Sequence, residues 1–186
     1  YLLVAALAEG TSTIRFPAHS EDGEAMRRCI RDLGAVVEED DEKIVVTGFG
    51  RHPRPVKELD VGNAGAVLRF ILSIAALVPG EVSFVNRYPQ SLGKRPHDDL
   101  IQALQGMGVE IEHQDGRLPI AVRGGNPKGG LIRVSGSVSS QFLSSLLFLT
   151  PLLDEDSEIE VLDDLKSKVV VGQTLEVLAQ AGIAIE

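Results

Sequence analysis
Apolar and polar positions alternate along this chain with two different periods. Met26, Ile30 and Leu33 stand at i, i+4 and i+7, which places them on one helix face. Leu100, Leu104 and Met107 repeat that ridge, and Thr174, Leu178 and Ala181 repeat it again. Each ridge runs into a glycine, Gly34, Gly108 or Gly182, suited to a left-handed helix cap. The glycines are 74 residues apart both times. Beyond the first two, "VVEEDDEKIVVTG" and "VEIEHQDGRLPIAVRG" predict hairpins with polar turns at Asp40–Glu42 and Gln114–Gly116. Beyond the third, "AGIAIE" supplies one hairpin strand.

The stretches before the amphipathic helices repeat as well. "VGNAGAVLRFILSIAAL" (61–77) aligns with "SGSVSSQFLSSLLFLTP" (135–151), setting Gly62 on Gly136. Each predicts a loop and then a helix, 66–78 or 140–152, apolar nearly all round and so suited to burial. A strand follows, in "EVSFVN" or "EIEVLD"; in the first copy "TSTIRFP" follows a helix end at Tyr1–Ala8. One unit therefore reads strand, loop, apolar helix, strand, amphipathic helix, hairpin. The expected fold is α/β: three βαβαββ units, roughly 1–55, 56–129 and 130–186, in one domain around a pseudo-threefold axis. Apolar helices lie inside and sheets outside, and amphipathic helices near 24–33, 97–107 and 171–181 turn one face to the sheets. An open solenoid is the competing arrangement. Unit one lacks its opening strand and loop, and unit three stops after one hairpin strand. With Tyr1 inside a helical pattern, the chain reads as a fragment incomplete at both ends.

Composition narrows the function. Hydrophobic residues make up 44% and charged residues 24% of 186, as in a globular protein. The net charge of −9 argues against a nucleic-acid binder, which needs a basic footprint. Residues 134–153 carry six serines and a proline, against the roughly 20 mostly apolar residues of a membrane span. A lone cysteine, Cys29, forms no internal disulfide and fits a cytoplasmic protein as a small packed residue. His19, His52, His97 and His113 show no metal-ligand spacing, and neither metal nor cofactor is expected.

The chemistry gathers at the helix starts. A helix N-terminus leaves backbone N–H groups unpaired and carries partial positive charge, so it favours anions. Ser135, Ser137, Ser139, Ser140 and Gln141 crowd one such start, with Gly136 allowing close backbone approach; the equivalent loop of unit two is "GNAG". Capping by Ser137 or Ser139 is the plainer reading of a lone serine-rich start, and two equivalent anion-favouring starts weaken it. Lys94 and Arg95 precede Pro96, expected in the first turn of the next helix, where cations oppose the helix dipole. Arg95 thus suits a carboxylate or phosphate gripped in bidentate fashion. "LKSK" repeats the arrangement with Lys166, Ser167 and Lys168. Arg69, the one charge in helix 66–78, is either half of a buried ion pair or a ligand contact.

Taken together in order, "GNAGAVLR", "KRP", "SGSVSSQF" and "LKSK" resemble the 5-enolpyruvylshikimate-3-phosphate synthase (3-phosphoshikimate 1-carboxyvinyltransferase) family over essentially all 186 residues. The resemblance implies most of the N-terminal domain of a two-domain enzyme of aromatic amino acid biosynthesis, with substrates in the cleft between domains. It implies transfer of the enolpyruvyl group of phosphoenolpyruvate to the 5-hydroxyl of shikimate 3-phosphate, by addition and elimination and without metal. Ser139, Ser140, Gln141 and Ser167 would bind shikimate 3-phosphate. Asn63, Gly65, Arg95 and Gln141 would bind phosphoenolpyruvate, where glyphosate also sits; Ala66, Arg69 and Lys94 are secondary candidates. Departures are Ala66 for a common threonine and Val170 for a common tyrosine. The family's Ser-Lys-Ser motif would precede Tyr1, and its acid and base residues lie on the second domain, so no residue here is assigned a catalytic role. A related transferase acting on UDP-N-acetylglucosamine commonly has a reactive cysteine where Gln90 stands. A non-catalytic repeat scaffold is the other alternative.

Overall fold
Helix α2 (Glu21–Leu33) shows how the pattern becomes structure. Ser20 caps it, its hydroxyl accepting from the Gly23 amide at 3.1 Å, and Glu21, Asp22 and Glu24 fill the first turn. Gly34 ends it at φ 116°, and the amides of Gly34 and Ala35 return to the Arg31 and Ile30 carbonyls. One face is buried: Ala25, Met26, Cys29, Ile30 and Leu33. The computed structural model describes all 186 residues.

Strands β1 (Thr11–Arg15), β2 (Val36–Glu39) and β3 (Lys43–Thr47) form an antiparallel sheet in the order β1-β3-β2. Strands β4 (Gly80–Phe84), β5 (Glu110–Gln114) and β6 (Arg117–Gly124) repeat it as β4-β6-β5. Both predicted hairpins form. In unit three, β7 (Gly130–Val134) pairs in parallel with β8 (Ser157–Val161). The corresponding opening strand of unit two is reduced to one parallel bridge, Glu58 to Ser83. Residues 183–186, expected as a strand, form none. In the first two units that strand is held only by the other arm of its hairpin, and here the chain supplies no such arm.

The apolar helices α1 (Leu2–Leu7), α3 (Gly65–Ala75) and α5 (Ser140–Leu149) lie inside, and α3 packs directly on α5. Both stop short of the predicted ends; α5 tightens into a 3-10 turn at Thr150–Leu152 that holds Pro151. Between α3 and α5, Phe70 and Phe148 meet edge to face at 5.2 Å. The amphipathic helices do more than face sheets. Helix α2 rests on α1 and α3 as well as β2; α4 (Asp98–Gly106) rests on β5 and, from the next unit, β7. Helix α6 (Lys168–Gln180) packs on α5. The buried apolar residues form one continuous cluster from Leu3 to Leu178, and Arg51 of unit one donates to the Leu152 carbonyl at 2.7 Å and to Asp154 at 2.6 Å in unit three, a first-to-last contact that an open solenoid would not make. No helix is long and apolar enough to cross a membrane.

The same corner recurs in units one and two. The Phe49 amide donates to the Ala6 carbonyl, and the Gly125 amide to the Ala76 carbonyl, both at 2.8 Å. These partners are 76 and 70 residues apart, where the helix-capping glycines are 74 apart. The difference lies largely in one connection. From β4 to α4 the chain runs through residues 85–97, whereas β1 to α2 takes only 16–20 and β8 to α6 only 162–167. The long connection is the one that carries Arg95.

Candidate functional site
The starts of α3 and α5 lie side by side because the helices pack in register. Ser145 donates from Oγ to the Arg69 carbonyl at 2.6 Å, and its hydroxyl lies 2.5 Å from that of Ser73. One turn nearer the helix starts, Arg69 donates from Nη1 to Gln141 Oε1 at 2.5 Å. The Arg69 guanidinium also lies over the Phe142 ring, 5.2 Å from its centroid. It has no carboxylate partner, so of the two roles open to Arg69 the structural ion pair is not the one present.

Arg95 reaches the same place from the long connection. Its Nη1 would lie 2.5 Å from a Cβ at position 65, so glycine at the first residue of α3 is what admits it. Arg95 is exposed, and its side chain pairs with no carboxylate of the chain. Burial, and then the nearness of Arg95, lower the Arg69 pKa. The chain thus sets two guanidiniums close together without supplying the negative charge that would compensate them. Helix starts α3 and α5 add partial positive charge of their own. The arrangement suits an anion with planar, forked oxygens.

The serine-rich loop leads into α5 and so to Gln141, the residue that Arg69 holds. Ser139 is the N-cap of α5, its hydroxyl accepting from the Gln141 amide at 3.3 Å, so capping is one of its roles. Ser140 is buried in the first turn, with its hydroxyl bonded to nothing in the chain. Ser135 bonds Ser137 and Asp163, both at 2.8 Å, and the Lys166 amide donates to the Gly136 carbonyl. Residues 135–139 and 163–167 therefore form one loop pair. Ser167, the N-cap of α6, is exposed and caps with no side-chain bond.

Other expectations are corrected. Gly136 admits the chain itself: a Cβ there would lie 2.9 Å from Val161 Cγ1 and 3.1 Å from the Asp163 carbonyl oxygen. Pro96 stands outside its helix, which starts at Asp98 with His97 as N-cap, after a 3-10 turn at Leu92–Lys94. Lys94 is exposed; its carbonyl accepts from Arg117, and its side chain bonds nothing. Asn63 is held through Oδ1 by the Ser91 hydroxyl at 2.6 Å and lines a polar cavity with Glu21, Arg28 and Tyr88. Ala66 faces elsewhere, into an apolar cavity of ≈ 340 Å³ with Tyr1, Phe70 and Phe148. Two residues escaped the sequence reading. Phe142 was hidden as one more core residue, and His97 as one histidine without a metal pattern. Only the unusual length of the connection before α4 marks that region out.

The EPSP synthase (3-phosphoshikimate 1-carboxyvinyltransferase) family matches residues 1–186. A 3-phosphoshikimate 1-carboxyvinyltransferase of Deinococcus radiodurans is 48% identical over 183 residues, 98% of this chain and 41% of that protein. One from Methanococcoides burtonii is 37% identical over 99% of this chain and 43% of its own length. The solved EPSP synthase of Acinetobacter baumannii superposes with a TM-score of 0.75, at 24% identity, over 89% of this chain and 38% of that one. The chain spans under half the length of these relatives. Its three-unit fold, with helices within and sheets without, is theirs, and the chain belongs to the EPSP synthase family.

Proposed function
We propose that this chain is the greater part of the N-terminal domain of a two-domain cytoplasmic enzyme. That enzyme transfers the enolpyruvyl group from phosphoenolpyruvate to the 5-hydroxyl of shikimate 3-phosphate. The observation that carries the reading is the uncompensated pair Arg69 and Arg95 at two adjoining helix starts. Arg95, Gly65 and Asn63 take the carboxylate and phosphate of phosphoenolpyruvate. Ser139, Ser140 and Ser167 take shikimate 3-phosphate, and Gln141, already oriented by Arg69, stands between the two.

In the reaction the 5-hydroxyl gives its proton to a base and its oxygen bonds to C2 of phosphoenolpyruvate, while C3 takes a proton from an acid and becomes a methyl group. The adduct then loses a proton from that methyl group and expels phosphate. Each step needs a group that gives or takes a proton within hydrogen-bonding reach. Serine, asparagine, glutamine and arginine orient anions but are poor proton shuttles near neutral pH. The acid and base belong to the second domain, and closure of the two halves excludes water. The relatives' shared name, together with Gln90 in place of a reactive cysteine, favours this substrate over UDP-N-acetylglucosamine.

A phosphate-release assay tests the reading. The chain alone gives no turnover above a protein-free control. The complete enzyme turns over, and Arg95→Ala lowers that rate by roughly 100-fold, the scale of losing one transition-state donor. Unchanged turnover in Arg95→Ala, or turnover by the chain alone, overturns it.

A further inference from the structure
His97 is 0% exposed, and neither ring nitrogen has a hydrogen-bond partner. Packing does not explain it. Leucine or phenylalanine would fill the space without leaving two buried polar atoms unpaired, which is costly. Its surroundings give another reason. The imidazole meets the Phe142 ring edge to face, with centroids 6.5 Å apart, and the Arg69 guanidinium lies over Phe142 in turn. Two residues before His97 stands Arg95, and the His97 amide is anchored on the Gly116 carbonyl at 2.8 Å. One stack therefore runs from the long connection through His97, Phe142 and Arg69 to Gln141.

We infer that His97 is a positioning residue for the anion site: its uncharged ring sets the orientation of Phe142, and through it holds the Arg69 guanidinium beside Arg95. This rests on the anion site proposed above. The groups that bear on the imidazole are consistent with it. Burial first, and then Arg69 from α3 and Arg95 from the connection, which oppose a third positive charge, push the His97 pKa down to about 4. From α4, Asp98 and Asp99 stand in the first turn, where burial, Asp98 and Asp163 raise the Asp99 pKa. Helix α5 brings only the uncharged Phe142. An anion that compensates the two arginines removes their opposition, so its binding raises the His97 pKa. By linkage, protonating His97 tightens the anion.

Inorganic sulfate is the probe, because it stays doubly charged from pH 4 to 8. NMR follows the arginine Nε–H signals, the Gln141 amide and the His97 ring protons. Wild type is expected to bind sulfate at Arg69 and Arg95, with the His97 pKa moving upward as the arginine charges are compensated. His97→Leu and Phe142→Leu are expected to bind it roughly 3- to 10-fold more weakly, the scale of a lost cation–π support. His97→Leu should melt no lower than wild type, since it removes unpaired polar atoms. A purely structural histidine predicts the opposite: a lower melting temperature and an unaltered sulfate affinity. Should one variant fail to fold, the sulfate affinity of the other decides. Sulfate that leaves the Arg95 and Gln141 signals unmoved contradicts the anion site, and the inference with it. Sulfate that binds wild type and both variants alike contradicts only the inference.

Discussion

Replacing Ser145 by alanine probes the link between the helical core and the site. Ser145 is 0% exposed and joins the Arg69 carbonyl and the Ser73 hydroxyl across α3 and α5. The Arg69 carbonyl keeps its place in the helical ladder without Ser145. The Ser73 hydroxyl, also 0% exposed, does not keep its partner; it is left only the carbonyl one turn back in its own helix, a weaker alternative. Removing one partner of a buried pair costs about 1–3 kcal/mol, and loss of one oxygen atom leaves too little space to add much. Removing both partners is cheaper per group, so Ser73→Ala with Ser145→Ala should cost clearly less than the two single changes summed. Urea unfolding followed by circular dichroism measures this, the midpoint moving while the slope stays constant. A single-mutant cost under about 0.5 kcal/mol, or strict additivity, refutes the reasoning. Because Arg69 and Gln141 lie one turn before Ser73 and Ser145, the single mutant should also weaken anion binding.

Gly65→Ala should leave the melting temperature nearly unchanged, since the flexible Arg95 tip can retreat, yet weaken phosphoenolpyruvate binding about tenfold by calorimetry. Gly48→Ala should act in the reverse sense. Its Cβ would press on the carbonyl oxygens of Ala5, Ala6 and Ala8, which are fixed backbone, and thermal melts should show a loss above about 3 kcal/mol. His97 makes stability depend on pH. Its folded pKa is depressed to about 4, so the stability it permits is present above about pH 6.5 and is lost as pH falls toward 4. That loss is at most about 3 kcal/mol, and His97→Leu should flatten the slope in urea titrations over that range. The Cys29 thiol, pushed up to about 12 chiefly by burial, should react with thiol reagents at pH 7 only as fast as the chain unfolds. Labelling much faster than unfolding contradicts that.

Much of the fold was legible because punctuation and periodicity coincide. Gly34, Gly108 and Gly182 all take positive φ just past a helix, as the ridges before them require. The turn at Asp115–Gly116, both at positive φ, is set by local chemistry and was equally plain. Expectations failed where a distant partner decides the outcome. Residues 183–186 have a strand pattern and no strand to pair with. Gly136 looked like a ligand contact, but the segment 161–165 takes its space. Within the site, Arg69, Gln141 and Arg95 stood out as polar or charged residues where apolar or acidic ones were due. Phe142 and His97 did not, because a core phenylalanine and a lone histidine look ordinary until the Arg69 guanidinium is placed over Phe142 and the His97 ring against it.

The central claim is that two helix starts and one long connection make a single anion site for phosphoenolpyruvate and shikimate 3-phosphate. The most direct measurement is a titration of the isotopically labelled chain with each compound to tens of millimolar, read in amide and side-chain NMR spectra. Phosphoenolpyruvate is expected to move the signals of Asn63, Gly65 and Arg95, shikimate 3-phosphate those of Ser139, Ser140 and Ser167, and Gln141 should respond to both. Signals that move elsewhere on the chain, or fail to move at these residues, would contradict it.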